Sequence, residues 1–204
     1  SPEWACEVIR HYFDRILMLG TKPEIIQGIV FLSSELPNVS PGDDILMRSA
    51  QAAPEAFAQQ LLPLMLQLME RETEEQENGL KRDAVWKIRH SHHGHTVYDA
   101  LLRAMERSLN SLSLEKPEVF TPIARQLRTF PLETAQYLLM RAFTANGERW
   151  AEEVVDYLYE RPELLQMGYI DTPYWVSRQL VEAISPYCSE KQLRRLERTI
   201  LDYY

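Results

Sequence analysis

Two segments near the C-terminus constrain the fold more than any other feature of the chain. Pro131-Leu-Glu-Thr-Ala-Gln-Tyr-Leu-Leu-Met-Arg-Ala-Phe143 and Pro173-Tyr-Trp-Val-Ser-Arg-Gln-Leu-Val-Glu-Ala-Ile184 both open on proline. After a short polar break each is followed by a second amphipathic segment, Glu148–Tyr159 and Glu190–Tyr203. The openings at 131 and 173 lie 42 positions apart, inside the ~40–47-residue period of two-helix repeats. Ala135, Leu138, Leu139, Ala142 and Phe143 keep helical spacing along one face. A helix pair buries only part of its apolar surface alone, so stacked neighbours supply the rest of the core. The expected fold is all-α, an αα-hairpin superhelix or solenoid of about ten helices. It is expected to form a single domain over residues 1–204, with a softer boundary near 78–96.

The remainder of the chain reads the same way. Val8, Ile9, Tyr12, Phe13, Ile16 and Leu17 give Trp4–Leu19 helical spacing, closed by Gly20. Thr21-Lys22-Pro23-Glu24 predicts a second helix to about Leu36, and Ser40-Pro41-Gly42-Asp43-Asp44 starts a third through Ala53. Pro54 to Glu77 reads as one long helix with a kink or restart at Pro63. Leu80–Thr96 has no period. Val97, Leu101, Ala104, Met105, Ser108, Leu109 and Leu112 form the stripe of the next helix, and Lys116-Pro117-Glu118 starts another to about Thr129. Trp150, Val154, Tyr157 and Leu158 continue the array. Residues 162–171 form a loop or short helical turn. Ser189-Glu190-Lys191-Gln192 has the capping-box pattern, and Glu190 and Arg194 make a favourable pair four apart. No strand pair is expected, because Asn78-Gly79 and Asn146-Gly147 both follow helical periodicity.

Composition narrows the function classes. With 204 residues, 45% hydrophobic and 25% charged, the chain has the make-up of an ordinary globular protein. A net charge of -8 argues against nucleic-acid or anionic-membrane partners. No apolar run reaches the ~18 residues of a membrane span. Cys6 and Cys188 stand alone, which predicts reduced thiols in a cytoplasmic protein. The start at Ser1-Pro2 and the apolar ending Ile200-Leu201-Asp202-Tyr203-Tyr204 predict a piece of a longer polypeptide.

Catalytic signatures are missing: the sequence has no glycine-rich phosphate loop, GxSxG or HExxH. The chain is therefore expected not to be an enzyme and to need no cofactor. Asp43-Asp44 and Glu152-Glu153 are adjacent acids that point to different helical faces. His90-Ser91-His92-His93-Gly94-His95 is the one dense cluster of possible ligands. Its spacing resembles the HxHxDH motif of metallo-β-lactamase-like hydrolases. Gly94 takes the place of that motif's aspartate, and His11 is the only other histidine, so the family is rejected. The preferred reading is a polar loop; the alternative is a metal-binding or small hydrolytic domain built on residues 90–95.

Most of the aromatics Trp86, Trp150, Tyr157, Tyr159, Tyr169, Tyr174 and Trp175 sit at core spacing, whereas Tyr159, Tyr169 and Tyr174 fall off it. Arginine and aromatic side chains are the usual anchors for a protein partner. Arg89, Arg128, Arg149 and Arg178 can serve in that way. Trp86, Arg89, His92 and His93 are the expected contact residues for such a partner.

Two resemblances follow from particular words. Pro54-Glu-Ala-Phe57 and Leu61-Leu-Pro-Leu-Met-Leu66 resemble a HEAT repeat. Asp83-Ala-Val-Trp-Lys-Ile-Arg89, Asp99-Ala-Leu-Leu-Arg-Ala-Met-Glu106 and Tyr157-Leu-Tyr-Glu-Arg-Pro-Glu-Leu164 resemble the helical arrays of large bacterial STAND (NACHT-type) ATPases. That resemblance implies a ligand-sensing or scaffold region with the ATPase upstream, in several cases recognising a phage protein. The partner would then be another protein or other domains of the same longer chain.

Overall fold

The computed structural model describes residues 1–18, 24–26, 29–31, 40–71, 73–76, 79–86, 97–168 and 172–204. Helices dominate: α1 (Pro2–Met18), α2 (Ser40–Ala52), α3 (Pro54–Arg71), α4 (Val97–Glu115), α5 (Pro117–Thr129), α6 (Glu133–Ala145), α7 (Gly147–Glu160), α8 (Trp175–Ile184) and α9 (Glu190–Tyr203). Two short 3-10 turns, Pro162–Gln166 and Ser185–Tyr187, flank α8.

Two antiparallel strand pairs depart from the all-helical expectation. β1 (Glu24–Ile26) pairs with β2 (Ile29–Phe31), with Ile25 opposite Val30, where a helix over 21–36 was predicted. The sequence Glu-Ile-Ile-Gln-Gly-Ile-Val-Phe places β-branched pairs on either side of a glycine. Such residues lose rotamer freedom in a helix and fit a pleated strand better. β3 (Thr73–Glu75) pairs with β4 (Lys81–Asp83), so the helix expected to reach Glu77 stops at Arg71. Gly79, at φ 80°, occupies the left-handed region that a side chain resists. The Lys81 N–H donates to the Pro131 carbonyl at 2.7 Å, and Arg82 meets the nearly buried Glu133 at 2.7 Å. These contacts lie some fifty positions away in sequence, beyond the reach of local periodicity.

In α4 and α6 the apolar stripes are buried as their spacing predicts, whereas in α1 Ile9 and Phe13 are buried and Val8 and Tyr12 of the same predicted stripe are exposed. Leu101, Ala104, Met105, Leu109 and Leu112 of α4 are all at most 1% exposed. α3 passes through Pro63 without a restart; Pro63 and Gln59, whose carbonyl Pro63 cannot serve, are both exposed. In α6 every residue from Glu133 to Phe143 except Arg141 is buried, which marks a helix enclosed by neighbours. The buried apolar side chains form one cluster from Cys6 in α1 to Leu196 in α9.

Helices two apart in sequence pack together along the even-numbered set: α2 on α4, α4 on α6, α6 on α8. Odd-numbered helices α1 and α3 pack together, as do α7 and α9. Buried polar groups pin further contacts between the helices. Gln136 of α6 donates to the carbonyls of Leu127 and Phe130 at the end of α5 and accepts from the Tyr157 hydroxyl of α7. Trp150 of α7 donates to Ser113 Oγ of α4 at 2.8 Å. Gly147 opens α7 where an added Cβ would stand 2.3 Å from the Ala183 carbonyl oxygen, so α7 and α8 approach closely there.

Candidate functional site

Of the residues predicted for partner contact, only Trp86 is among the described residues. Trp86 is 1% exposed; its indole N–H donates to the Tyr98 carbonyl at 2.9 Å, and its ring meets Tyr98 edge-on at 6.2 Å. It is a core residue that ties the end of β4 to α4, and a sealed ring offers a partner nothing. Core spacing and contact anchoring call for the same residue type, and only packing separates the two. Arg89, His92, His93 and the rest of the 90–95 cluster lie outside the described residues. Among the described residues no three His, Cys, Asp or Glu side chains converge as metal ligands would. Cys6 and Cys188 are free thiols, each held above its usual pKa chiefly by burial, which keeps both short of thiolate. No helix among the described residues is long and apolar enough to cross a membrane.

Two of the arginines singled out in the sequence do reach a groove. Between α5 and α7 lies an open groove of about 470 Å³, lined by Arg125 and Arg128 from α5 and by Arg149, Trp150, Glu153 and Asp156 from α7. Arg128 pairs with Glu160 at 2.5 Å and lies 5.3 Å from the centre of the Tyr157 ring. Arg149 sits 5.3 Å from the Trp150 ring. Full burial pushes the Tyr157 phenol well above its usual range, against the smaller opposing pull of Arg161 and Arg128. Arg178 lies on α8, in an exposed pair with Glu182 at 2.8 Å that lines the crevice between α8 and α9.

A larger groove, about 960 Å³, lies between the end of α7 and α9. Local sequence places its walls. Ser189 caps α9 by accepting from the Gln192 N–H at 3.3 Å, and Gln192 accepts from the Ser189 N–H at 2.7 Å. That cap sets the helix phase: Leu196 and Thr199 turn inward, and Lys191, Arg194, Arg195 and Arg198 line the groove. Opposite stand Tyr159, which is 55% exposed, and Pro162. Arg195 is fixed from two sides, paired with Asp156 and lying 4.0 Å over the Tyr159 ring. Arg194 pairs with Glu190 one turn back. Such a lining supplies cations and aromatic faces, the chemistry of binding carboxylates or phosphates.

The two grooves adjoin across α7, whose Asp156 lines the first and holds Arg195 of the second. A third crevice, about 480 Å³ and largely apolar, lies between α8 and α9 beside Tyr174 and Tyr204. The Tyr204 phenol is pushed up to about 12, chiefly by burial, with Tyr174 and Tyr203 adding to it. Tyr159 and Tyr174 are exposed as their off-stripe positions predict, and Tyr169 lies outside the described residues. The α9 basic face escaped the sequence reading, although Lys191, Arg194, Arg195 and Arg198 recur at i, i+3, i+4 and i+7 in an acidic chain. No protein-family model matches the chain, and neither the curated proteins nor the solved structures provide a match.

Proposed function

We propose that this chain is a non-catalytic helical-repeat scaffold that binds a protein partner along the α5–α7–α9 side. The adjoining grooves carry this reading: arginines line both, and the exposed Tyr159 ring stands in the α7–α9 groove, in the combination that anchors protein interfaces. The successive packing of α2, α4, α6 and α8 supports an αα-superhelix as the framework, since solenoids stack each repeat on its neighbours. The words at 83–89, 99–106 and 157–164 extend the proposal to the ligand-sensing part of a bacterial STAND-type antiviral ATPase acting in the cytoplasm.

A photo-cross-linking residue placed at Arg149 or Arg194, and at Gln67 on α3 as an exposed control outside both grooves, tests the partner reading. The same protein captured at 149 and 194 but not at 67 supports it. Equal capture at 67, or capture at none of the three, overturns it.

A further inference from the structure

The α7–α9 groove is more specific than a general partner surface. We propose that it takes an acidic, aspartate- or glutamate-rich segment of a protein, an inference that rests on the partner-binding reading above. Acids outnumber bases in the chain, 30 to 22, yet one face of α9 gathers Lys191, Arg194, Arg195 and Arg198. Lys191 with Arg195, and Arg194 with Arg198, are like-charge pairs four residues apart, an arrangement that destabilises a helix unless anions answer it. The fold answers only half of it: Glu190 pairs with Arg194 and Asp156 with Arg195. Lys191 and Arg198 have no carboxylate within 4.0 Å among the described residues.

Geometry sets the length of the occupant. Residues 191 to 198 span ~10 Å along the helix. An extended peptide covers that distance in about three residues. Two acids two or three positions apart would therefore reach Lys191 and Arg198 together, with the fixed Arg195 guanidinium and the exposed Tyr159 ring between them. A nucleic-acid strand suits the site less well, because its regularly spaced phosphates run on past Lys191 and Arg198 to Asp202 in the same groove and to Glu153 and Glu160 along the adjoining one, whereas a segment with two acids need meet only the cations.

Fluorescence anisotropy with the whole chain and labelled hexaglutamate, hexaglutamine and a single-stranded oligonucleotide tests the proposal. Hexaglutamate is expected to bind, hexaglutamine to show no binding, and the oligonucleotide to bind more weakly. The double substitution Lys191→Ala with Arg198→Ala is expected to weaken hexaglutamate roughly tenfold or more, as the loss of two charge-assisted contacts implies. Arg107→Ala, an exposed cation on α4, is expected to change nothing. Thermal melts of each variant establish that it is folded. No hexaglutamate binding, equal binding of hexaglutamine, indifference to the double substitution, or tighter binding of the oligonucleotide would overturn the proposal. If hexaglutamate fails while cross-linking at 149 and 194 still captures one protein, the acidic identity falls and the partner reading stands.

Discussion

α6 and α9 are nearly equal in length, 13 and 14 residues, and the fold uses them in opposite ways. α6 is enclosed, with ten buried residues that include Gln136 and Thr134. α9 buries only Leu196 and Thr199 and turns its cations outward. Enclosure makes α6 intolerant, since each atom removed leaves a void or a polar group without water. Exposure leaves α9 free to carry charges that add little to stability. The scaffold and the candidate binding face thus occupy separate helices.

The contrast is sharpest for leucine. Leu139→Ala in α6 is expected to destabilise the protein by ~2–5 kcal/mol, the cost of a cavity at a position that is 0% exposed. Leu201→Ala in α9, where the side chain is 70% exposed, should fall within ~0.5 kcal/mol of the unmutated chain. Urea unfolding of both variants measures the difference, and similar losses would break the comparison.

Gly147→Ala comes next. Its new methyl would meet the Ala183 carbonyl, and the forced separation of α7 from α8 is expected to cost ~1–3 kcal/mol in the same assay.

Tyr157→Phe is expected to cost ~1–3 kcal/mol near neutral pH, because the buried Gln136 oxygen loses its donor. The effect should shrink in alkali. The folded phenol titrates above its usual 10, so the stability gained from keeping it neutral is complete below pH 10. It is lost as pH rises through and beyond that value, and the phenylalanine variant lacks this loss. Melting temperatures from pH 7 to 11 should therefore converge, and parallel curves would contradict the burial of Tyr157.

A smaller loss is expected at the cap. Ser189→Ala should cost ~1 kcal/mol and fray the first turn of α9, including Lys191. Amide exchange at Gln192 and Leu193 checks it.

Helix positions were legible in sequence wherever apolar spacing ran over several turns, as at Leu138, Leu139 and Phe143, because a helical stripe is a local pattern. The capping box at Ser189 and Gln192 was legible for the same reason. The strand pairs were not. Thr73–Glu75 carries no alternating signal, and the β3–β4 pair is pinned from outside by the Pro131 carbonyl and Glu133. Trp86 read as a contact anchor because large aromatics serve both cores and interfaces; its acceptor at Tyr98 decided for the core. The groove was hidden because its halves, Asp156 with Tyr159 and Arg195, lie more than thirty positions apart.

The order of apolar, polar and capping residues was enough to determine that this chain is mainly helical and roughly where its helices begin, since those choices depend on neighbours within one or two turns. Which helices enclose one another, which tryptophan is sealed in, and where cations face an open groove were decided only by tertiary packing. Those outcomes depend on contacts between distant segments, whose free energy appears only when both surfaces leave water together.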